Sequence, residues 1–323
     1  MMKLHRSLPV IPETVLNAHK VNEKGDTRFK SAARLLQSLW RESMGHPIGS
    51  HRNADGKRRK LGSRLNTASA KAGANFLTPD IANLTRREVV YREVGAFIDE
   101  ERLWTNLLSS QPLCFNLFGA LKLDMAKANL FFCKLFPDYV HHVEGIYFEH
   151  SPGRGDPMFT QDNSAFDVFV TCITPDGESA FIAIEVKYSE TMTEPPAKLR
   201  PRYDELSAML PVFRDSAAPA LRDAPLQQLW REHMLSRAMV ENGGYGQGRF
   251  VVIHPAQNAH CEFATRSYQR QLVSTDPTET GFQSVTLEDC LSVLSTIGED
   301  STAAALHKRY LDFDKVDAAI FKD

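Results

Sequence analysis

Two apolar runs on either side of a tight turn constrain this chain's fold more than any other stretch. Phe166-Asp167-Val168-Phe169-Val170 comes first, then Thr174-Pro175-Asp176-Gly177-Glu178, then Phe181-Ile182-Ala183-Ile184-Glu185-Val186-Lys187. Pro-Asp-Gly between β-like runs is a turn signal, so the segment reads as a hairpin. Three charges interrupt the runs: Asp167, Glu185 and Lys187. Glu185 and Lys187 are two apart and share a strand face. With the turn centred on Asp176, Asp167 lies opposite Glu185. Directly opposed residues have Cβ atoms about 4.5–5.5 Å apart, and like charges so placed are destabilising. A divalent cation removes that penalty, so the three residues read as a hard-metal site with a lysine beside it. A surface ion-pair cluster on an edge strand is the plainer alternative. Against it, the apolar neighbours Phe166, Val168, Ile182, Ile184 and Val186 mark a strand buried on at least one face.

The chain has 323 residues, enough for one large domain or two modest ones. A net charge of −2 gives no global basic signal, so any nucleic-acid surface must be local. Cys114, Cys133, Cys172, Cys261 and Cys290 form no Cys-x-x-Cys pair and several lie in apolar segments. Buried thiols in a reducing compartment are expected, not a disulfide framework or a zinc site. Met1–Arg6 lacks the apolar core of a signal peptide, and no run approaches the roughly 18 apolar residues of a membrane span. The simplest expectation is a cytoplasmic protein.

Residues 1–26 are polar and irregular and read as a flexible arm. Helical spacing marks 27–44, 88–109 and 114–135, with a short helix opened by Thr78-Pro79-Asp80. His46–Arg64, rich in Gly, Ser and charge, reads as a loop. Val140–Glu149 reads as a strand before the hairpin. Helices are expected at 202–213, 225–240, 258–273 and 287–296, and a buried strand at Phe250–His254. From 114 to 254 this order predicts an α/β sandwich around a mixed sheet.

An acid on one strand and Glu-x-Lys on the next resembles the PD-(D/E)xK nuclease superfamily. Here the acid is Asp167, preceded by Ala165-Phe166 where the motif has Pro, and the second half is Glu185-Val186-Lys187. Trp104–Gly119, Phe148–Arg154 and Pro225–Gln228 look like a largely uncharacterised bacterial nuclease-like family within it, over about residues 28 to 290. The resemblance implies a restriction-endonuclease-like core, a central mixed β-sheet flanked by helices, with an N-terminal helical elaboration. The corresponding division is an arm at 1–26, the elaboration with its basic loop at 27–110, the nuclease-like core at 111–300 and a C-terminal segment at 301–323. The resemblance also implies that Asp167, Glu185 and the Val186 carbonyl bind Mg²⁺ or Mn²⁺ while Lys187 orients or activates water. The activity expected is that of an endonuclease, with DNA as the substrate expected first. A catalytically inactive nucleic-acid-binding or assembly module is the alternative, as is a nuclease for RNA or branched DNA. The assembly state is open, a homodimer included.

Around this centre, Glu149 ends its strand beside a Ser-Pro-Gly-Arg turn and is chosen as a further catalytic acid; Glu144 and Asp124 are weaker choices. Gln111 and Asn116 read as loop caps, or as supports reaching toward substrate, with Gln227 a further support. Gln227, Gln228 and His233 otherwise read as surface polar residues. Arg154, Arg200 and Arg202 flank the site in sequence and are expected to contact phosphates, as is the run Lys57, Arg58, Arg59 and Lys60. His141, His142 and His150 fit no zinc spacing.

Overall fold

The central hairpin forms where the turn chemistry puts it. The computed structural model describes residues 8–52 and 56–321. Its strands are β1 (Ile48–Arg52), β2 (Arg58–Leu65), β3 (His142–His150), β4 (Phe166–Ile173), β5 (Ser179–Val186), β6 (Gln247–His254) and β7 (Phe282–Thr286). The helices of the N-terminal half are α1 (Glu13–Ala18), α2 (Arg28–Ser43), α3 (Thr67–Lys71), α4 (Pro79–Val90), α5 (Glu100–Thr105), α6 (Ser110–Leu123) and α7 (Met125–Leu135). Those that follow are α8 (Pro201–Met209), α9 (Gln227–Glu241), α10 (Ala259–Gln269), α11 (Pro277–Thr280), α12 (Leu287–Thr296), α13 (Asp300–Tyr310) and α14 (Asp314–Ile320).

Gly177 sits in the β4–β5 turn at φ +82°, where a Cβ is disfavoured. The ladder runs from Ile173↔Ser179 to Val168↔Ile184, leaving Asp167 and Glu185 as the next residues of the two strands. β3 joins β4 antiparallel, β6 joins β5 parallel and β7 joins β6 parallel, giving the order β3-β4-β5-β6-β7. A parallel pair needs a crossover, and α8 and α9 supply it between β5 and β6. Helices cover both faces. Val168, Val170, Ile182, Ile184, Val251 and Ile253 share a core with residues of α2, α6, α7, α12 and α13. Phe169, Phe181, Ala183, Phe250 and Val252 share another with α8, α9 and α10. This is the expected α/β architecture, a mixed five-stranded sheet flanked by helices.

Several expectations are corrected. The spacing over 88–109 does not make one helix: α4 ends at Val90 and α5 starts at Glu100. Gly95 lies between them at φ +84°, and Val90, Val94 and Phe97 are 74%, 99% and 76% exposed, so their periodicity marks no core face. The single helix expected at 114–135 is two. Asp124 takes an extended conformation that ends α6, and its carboxylate caps α7 by accepting the Lys127 N–H. His46–Arg64 is largely the β1–β2 hairpin, with Arg58, Arg59 and Lys60 at the exposed start of β2. β7, α13 and α14 were not foreseen as elements. The arm expected over 1–26 is held from residue 8 onward, since α1 forms and Leu8, Ile11, Leu16 and Val21 are buried. Residues 1–7 lie outside the described residues, as do 53–55 within the loop expected at His46–Arg64 and 322–323 in the C-terminal segment. Phe29 and Leu36 of α2 share one core with Leu306 and Val316 of α13 and α14, so the segments divided in sequence pack as one unit. All five cysteines are free, and no helix among the described residues is long and apolar enough to cross a membrane.

The approach to β4 is fixed by one carboxylate. Asp162 accepts hydrogen bonds from Thr160 Oγ1 (2.7 Å), the Ser164 N–H (2.9 Å), Ser164 Oγ (2.8 Å), Tyr203 Oη (2.7 Å) and Arg231 Nη1 (2.9 Å). Burial works against its charge, but the bonds from Thr160, Tyr203 and Ser164 outweigh it and hold its pKa below the ordinary value of 3.8. A folded-state pKa below the unfolded one means stability that is complete above 3.8 and lost as pH falls through the folded value. Asp162→Asn should therefore cost about 3 kcal/mol at neutral pH. The gap from wild type, read by urea unfolding, should shrink below that pH. A gap equally wide at neutral and strongly acidic pH would refute this account.

Candidate active site

β5 is the middle strand of the sheet, and Glu185, Val186 and Lys187 lie at its carboxyl end, where the chain departs for the crossover. Such ends stay open to ligands in sheets with parallel strands. Asp167 starts the antiparallel neighbour β4 and so reaches the same edge. Phe166 and Phe169, three residues apart, pack in the same core, so strict alternation breaks at the start of β4. There Asp167 Oδ2 accepts the Val186 N–H at 2.8 Å.

Glu185 Oε1 meets Lys187 Nζ at 2.6 Å and accepts from Gln228 Nε2 at 2.8 Å. Gln228 Oε1 accepts from Lys187 Nζ at 2.9 Å, and its Nε2 also donates to Glu232 Oε1 at 2.8 Å. Gln228 and Glu232 stand one turn apart on α9, so one helix face presents both to the sheet. Glu149, near the end of β3 at φ +52°, accepts from Gln111 Nε2 at 3.4 Å. Glu185, Lys187 and Glu232 are buried, and Asp167 and Glu149 are mostly buried at the mouth.

Desolvation dominates the electrostatics. Burial raises the Asp167 pKa well above the carboxylate range, and the charges of Glu185 and Glu149 raise it further against Lys187 and the Val186 N–H. Burial and Glu185 push Glu149 up to about 7. Burial and Glu185 also raise Glu232. Burial disfavours the charge on Lys187, but Glu185, Glu190 and Glu232 outweigh it and the pKa rises. The surrounding carboxylates therefore favour the charged form of Lys187.

These groups suit a hard cation. Glu149, Asp167 and Glu185 are oxygen donors in mutual repulsion, and Glu232 Oε2 and Gln111 Oε1 are buried without a hydrogen-bond partner. Among the described residues no three His, Cys, Asp or Glu side chains close into a metal cage. His150 is bound to Glu93 instead, Nδ1 to Oε1 at 2.5 Å.

The other candidate residues fall in distinct places. Asn116 is buried and caps the preceding loop, bonding the Leu77 N–H, the Asn75 carbonyl and Tyr310 Oη. Gln227 pins the crossover by bonding both backbone groups of Ala197 at 2.7 and 2.6 Å. Gln227 and His233 are buried, not the surface residues expected, and His233 binds Tyr268 Oη and the Thr280 carbonyl. Arg154 is spent inside the protein on the carbonyls of Glu149 and Asn163 and on Glu93. Arg200 and Arg202 bond the carbonyls of Gln161 and Phe159. Arg59 pairs with Glu23 on the hairpin. Gln228, Glu232, Asp162 and Arg231 were not singled out in the sequence as site groups. The one signal was Gln228 and Glu232 at helical spacing among the apolar stripe Leu229, Trp230, Met234 and Leu235.

A family model described as the PD-(D/E)XK nuclease superfamily matches residues 24–312. The chain belongs to this superfamily. Membership points to metal-dependent nuclease chemistry and to nucleic acid as partner. No curated protein and no solved structure matches the chain.

A cation held by the folded protein alone stabilises it through mass action. The melting temperature should rise with added Mn²⁺, and Asp167→Asn should blunt the rise. Calorimetric scans with equal Mn²⁺ responses in both proteins would rule out binding at Asp167.

Proposed function

We propose that this protein is a Mg²⁺-dependent endonuclease that hydrolyses DNA phosphodiester bonds. The observation that supports it best is the set of repelling carboxylates, Glu149, Asp167 and Glu185, gathered beside one lysine at an open sheet edge. In this reading Asp167, Glu185 and the Val186 carbonyl hold the cation, with Glu149 as a further acid. When bound, Mg²⁺ or Mn²⁺ lowers the pKa of a coordinated water and stabilises charge on the phosphate. Lys187 brings a fixed positive charge to the attacked phosphate and orients the water. Gln228, bonded to both Lys187 and Glu185, fixes where the ammonium points. Water attacks phosphorus in line with the leaving 3′-oxygen and leaves a 5′-phosphate. A module that only binds nucleic acid has no need of opposed, desolvated carboxylates.

The test is cleavage of plasmid and linear DNA, with RNA and branched DNA as parallel substrates. Asp167→Ala, Glu185→Ala and Lys187→Ala should each abolish Mg²⁺- or Mn²⁺-dependent cleavage while circular dichroism stays that of wild type. Gln228→Ala should slow cleavage by about 10–100-fold, as loss of a group that orients ligands does. Cleavage that continues in excess chelator, or in folded Asp167→Ala, would overturn the reading.

A further inference from the structure

Beside the carboxylates, on the side of Lys187, the N-terminal elaboration encloses a cavity of about 260 Å³. One water claims about 30 Å³ in the liquid, so there is room for a phosphate with its sugar. Its walls tie it to the site. Ser189 and Glu190 follow Lys187 by two and three residues and line it, and Ser189 Oγ bonds the Leu108 carbonyl at 3.0 Å. Ser109, another lining residue, caps α6 by accepting the N–H of Gln111, the residue that bonds Glu149.

Five basic residues line the rest of the cavity, against three acids, Glu23, Glu190 and Glu194. Arg34 and Arg64 are engaged, Arg34 with Asp26 at 2.6 Å and Arg64 with Thr105 at 3.0 Å. Lys30 and Arg102 also line the cavity, and among the described residues their side chains have no ion-pair or hydrogen-bond partner. His51, from β1, presents a buried Nδ1 with no hydrogen-bond partner. Burial, and then the charges of Arg64 and Arg34, depress the His51 pKa against the opposing pull of Glu101, so the ring is held neutral. Cationic donors without a partner, lining a space larger than a water, are groups that a phosphate oxygen satisfies. The cavity meets the site through Ser189 and Glu190, which closely follow the Glu185–Lys187 strand end.

We infer that this cavity takes one backbone phosphate of the nucleic-acid strand next to the bond being cut, held by Lys30, Arg102 and His51. The inference rests on the nuclease reading. It also shifts the weight of substrate capture from the exposed run Lys57–Lys60 to the inner side of the same hairpin.

The experiment compares wild type with Lys30→Gln/Arg102→Gln in excess chelator, using a fluorescein-labelled DNA duplex across a range of salt. Neither side chain gives up a bond within the protein, so the double variant should melt with wild type; Arg102→Gln alone serves if it does not. Affinity should fall by about tenfold and the salt slope by about 2, one unit for each cation withdrawn from the phosphate backbone. Equal affinity and slope in the two proteins would overturn the inference while leaving cleavage by wild type intact. If wild type neither binds nor cuts the duplex, the nuclease reading fails, and inorganic phosphate decides the cavity. A phosphate-induced rise in melting temperature that the double variant lacks would uphold an anion site. An equal rise in both, or none in either, would overturn it.

Discussion

Glu185, Lys187 and Glu232 are buried together against the middle of the sheet, with Asp167 and Glu149 at their edge. Removing an ion from water costs several kcal/mol even after relaxation, and a pair recovers this only with good geometry and further hydrogen bonds. Lys187 supplies one positive charge and Gln228 satisfies three partners, which offsets the burial of Glu185. The Val186 N–H and Lys187 at Asp167, and the Gln111 amide at Glu149, do not outweigh burial and mutual repulsion, and both pKa values rise. A fold driven only by stability would place apolar groups there. Strain kept in an open cleft supports the proposal that these carboxylates form a cation site.

Holding such a cluster in place calls for stiff surroundings, and the nearby polar groups supply them. Asp162 gathers Thr160, Ser164, Tyr203 and Arg231 and so sets the entry into β4 just before Asp167. Gln227 clamps Ala197 on the crossover, on the helical turn that also carries Gln228. Arg154 links Glu93 to the Glu149 carbonyl and fixes the loop after β3. Arg200 and Arg202 brace the 156–163 loop in the same way. Arginines adjacent to a site in sequence are thus used first to build its rim, and the unpartnered cations Lys30 and Arg102 come from helices far away in the chain.

The hairpin and its three charges were legible because everything needed was local: a turn signal, two apolar runs and symmetry about Asp176. Glu149 was legible for a related reason, as an acid ending a strand. Gln228 and Glu232 were not, because their meaning depends on α9 lying across the end of β5, a tertiary fact. His233 shows the same limit, since a histidine within a polar-looking helix proves to be fully buried between Tyr268 and Thr280. At 88–109 the periodicity was real but unused: Glu93 is drawn to His150 and Arg154, Gly95 breaks the run, and Val94 and Phe97 are left in solvent. Burial at α1 and α13 was hidden because short segments of mixed polarity reveal no core face until a partner is known.

Tyr188 explains why chain ends so distant in sequence belong to one active unit. It follows Lys187 directly and is fully buried, with Phe29 and Tyr310 packed edge-on against its ring. Gln37 of α2 donates to its hydroxyl, which in turn donates to the Tyr310 carbonyl, while Gln37 also bonds the Arg309 carbonyl at 2.7 Å. Arg309 is itself buried and reaches back to Asn75, which Asn116 of α6 bonds in turn. The end of β5 is therefore gripped by α2 from one end of the chain and α13 from the other. Lys187 projects from a backbone that cannot shift without disturbing both. That rigidity makes the N-terminal helices part of the scaffold that positions the candidate site, and under the proposed function it would hold a cation and the ammonium at fixed separation.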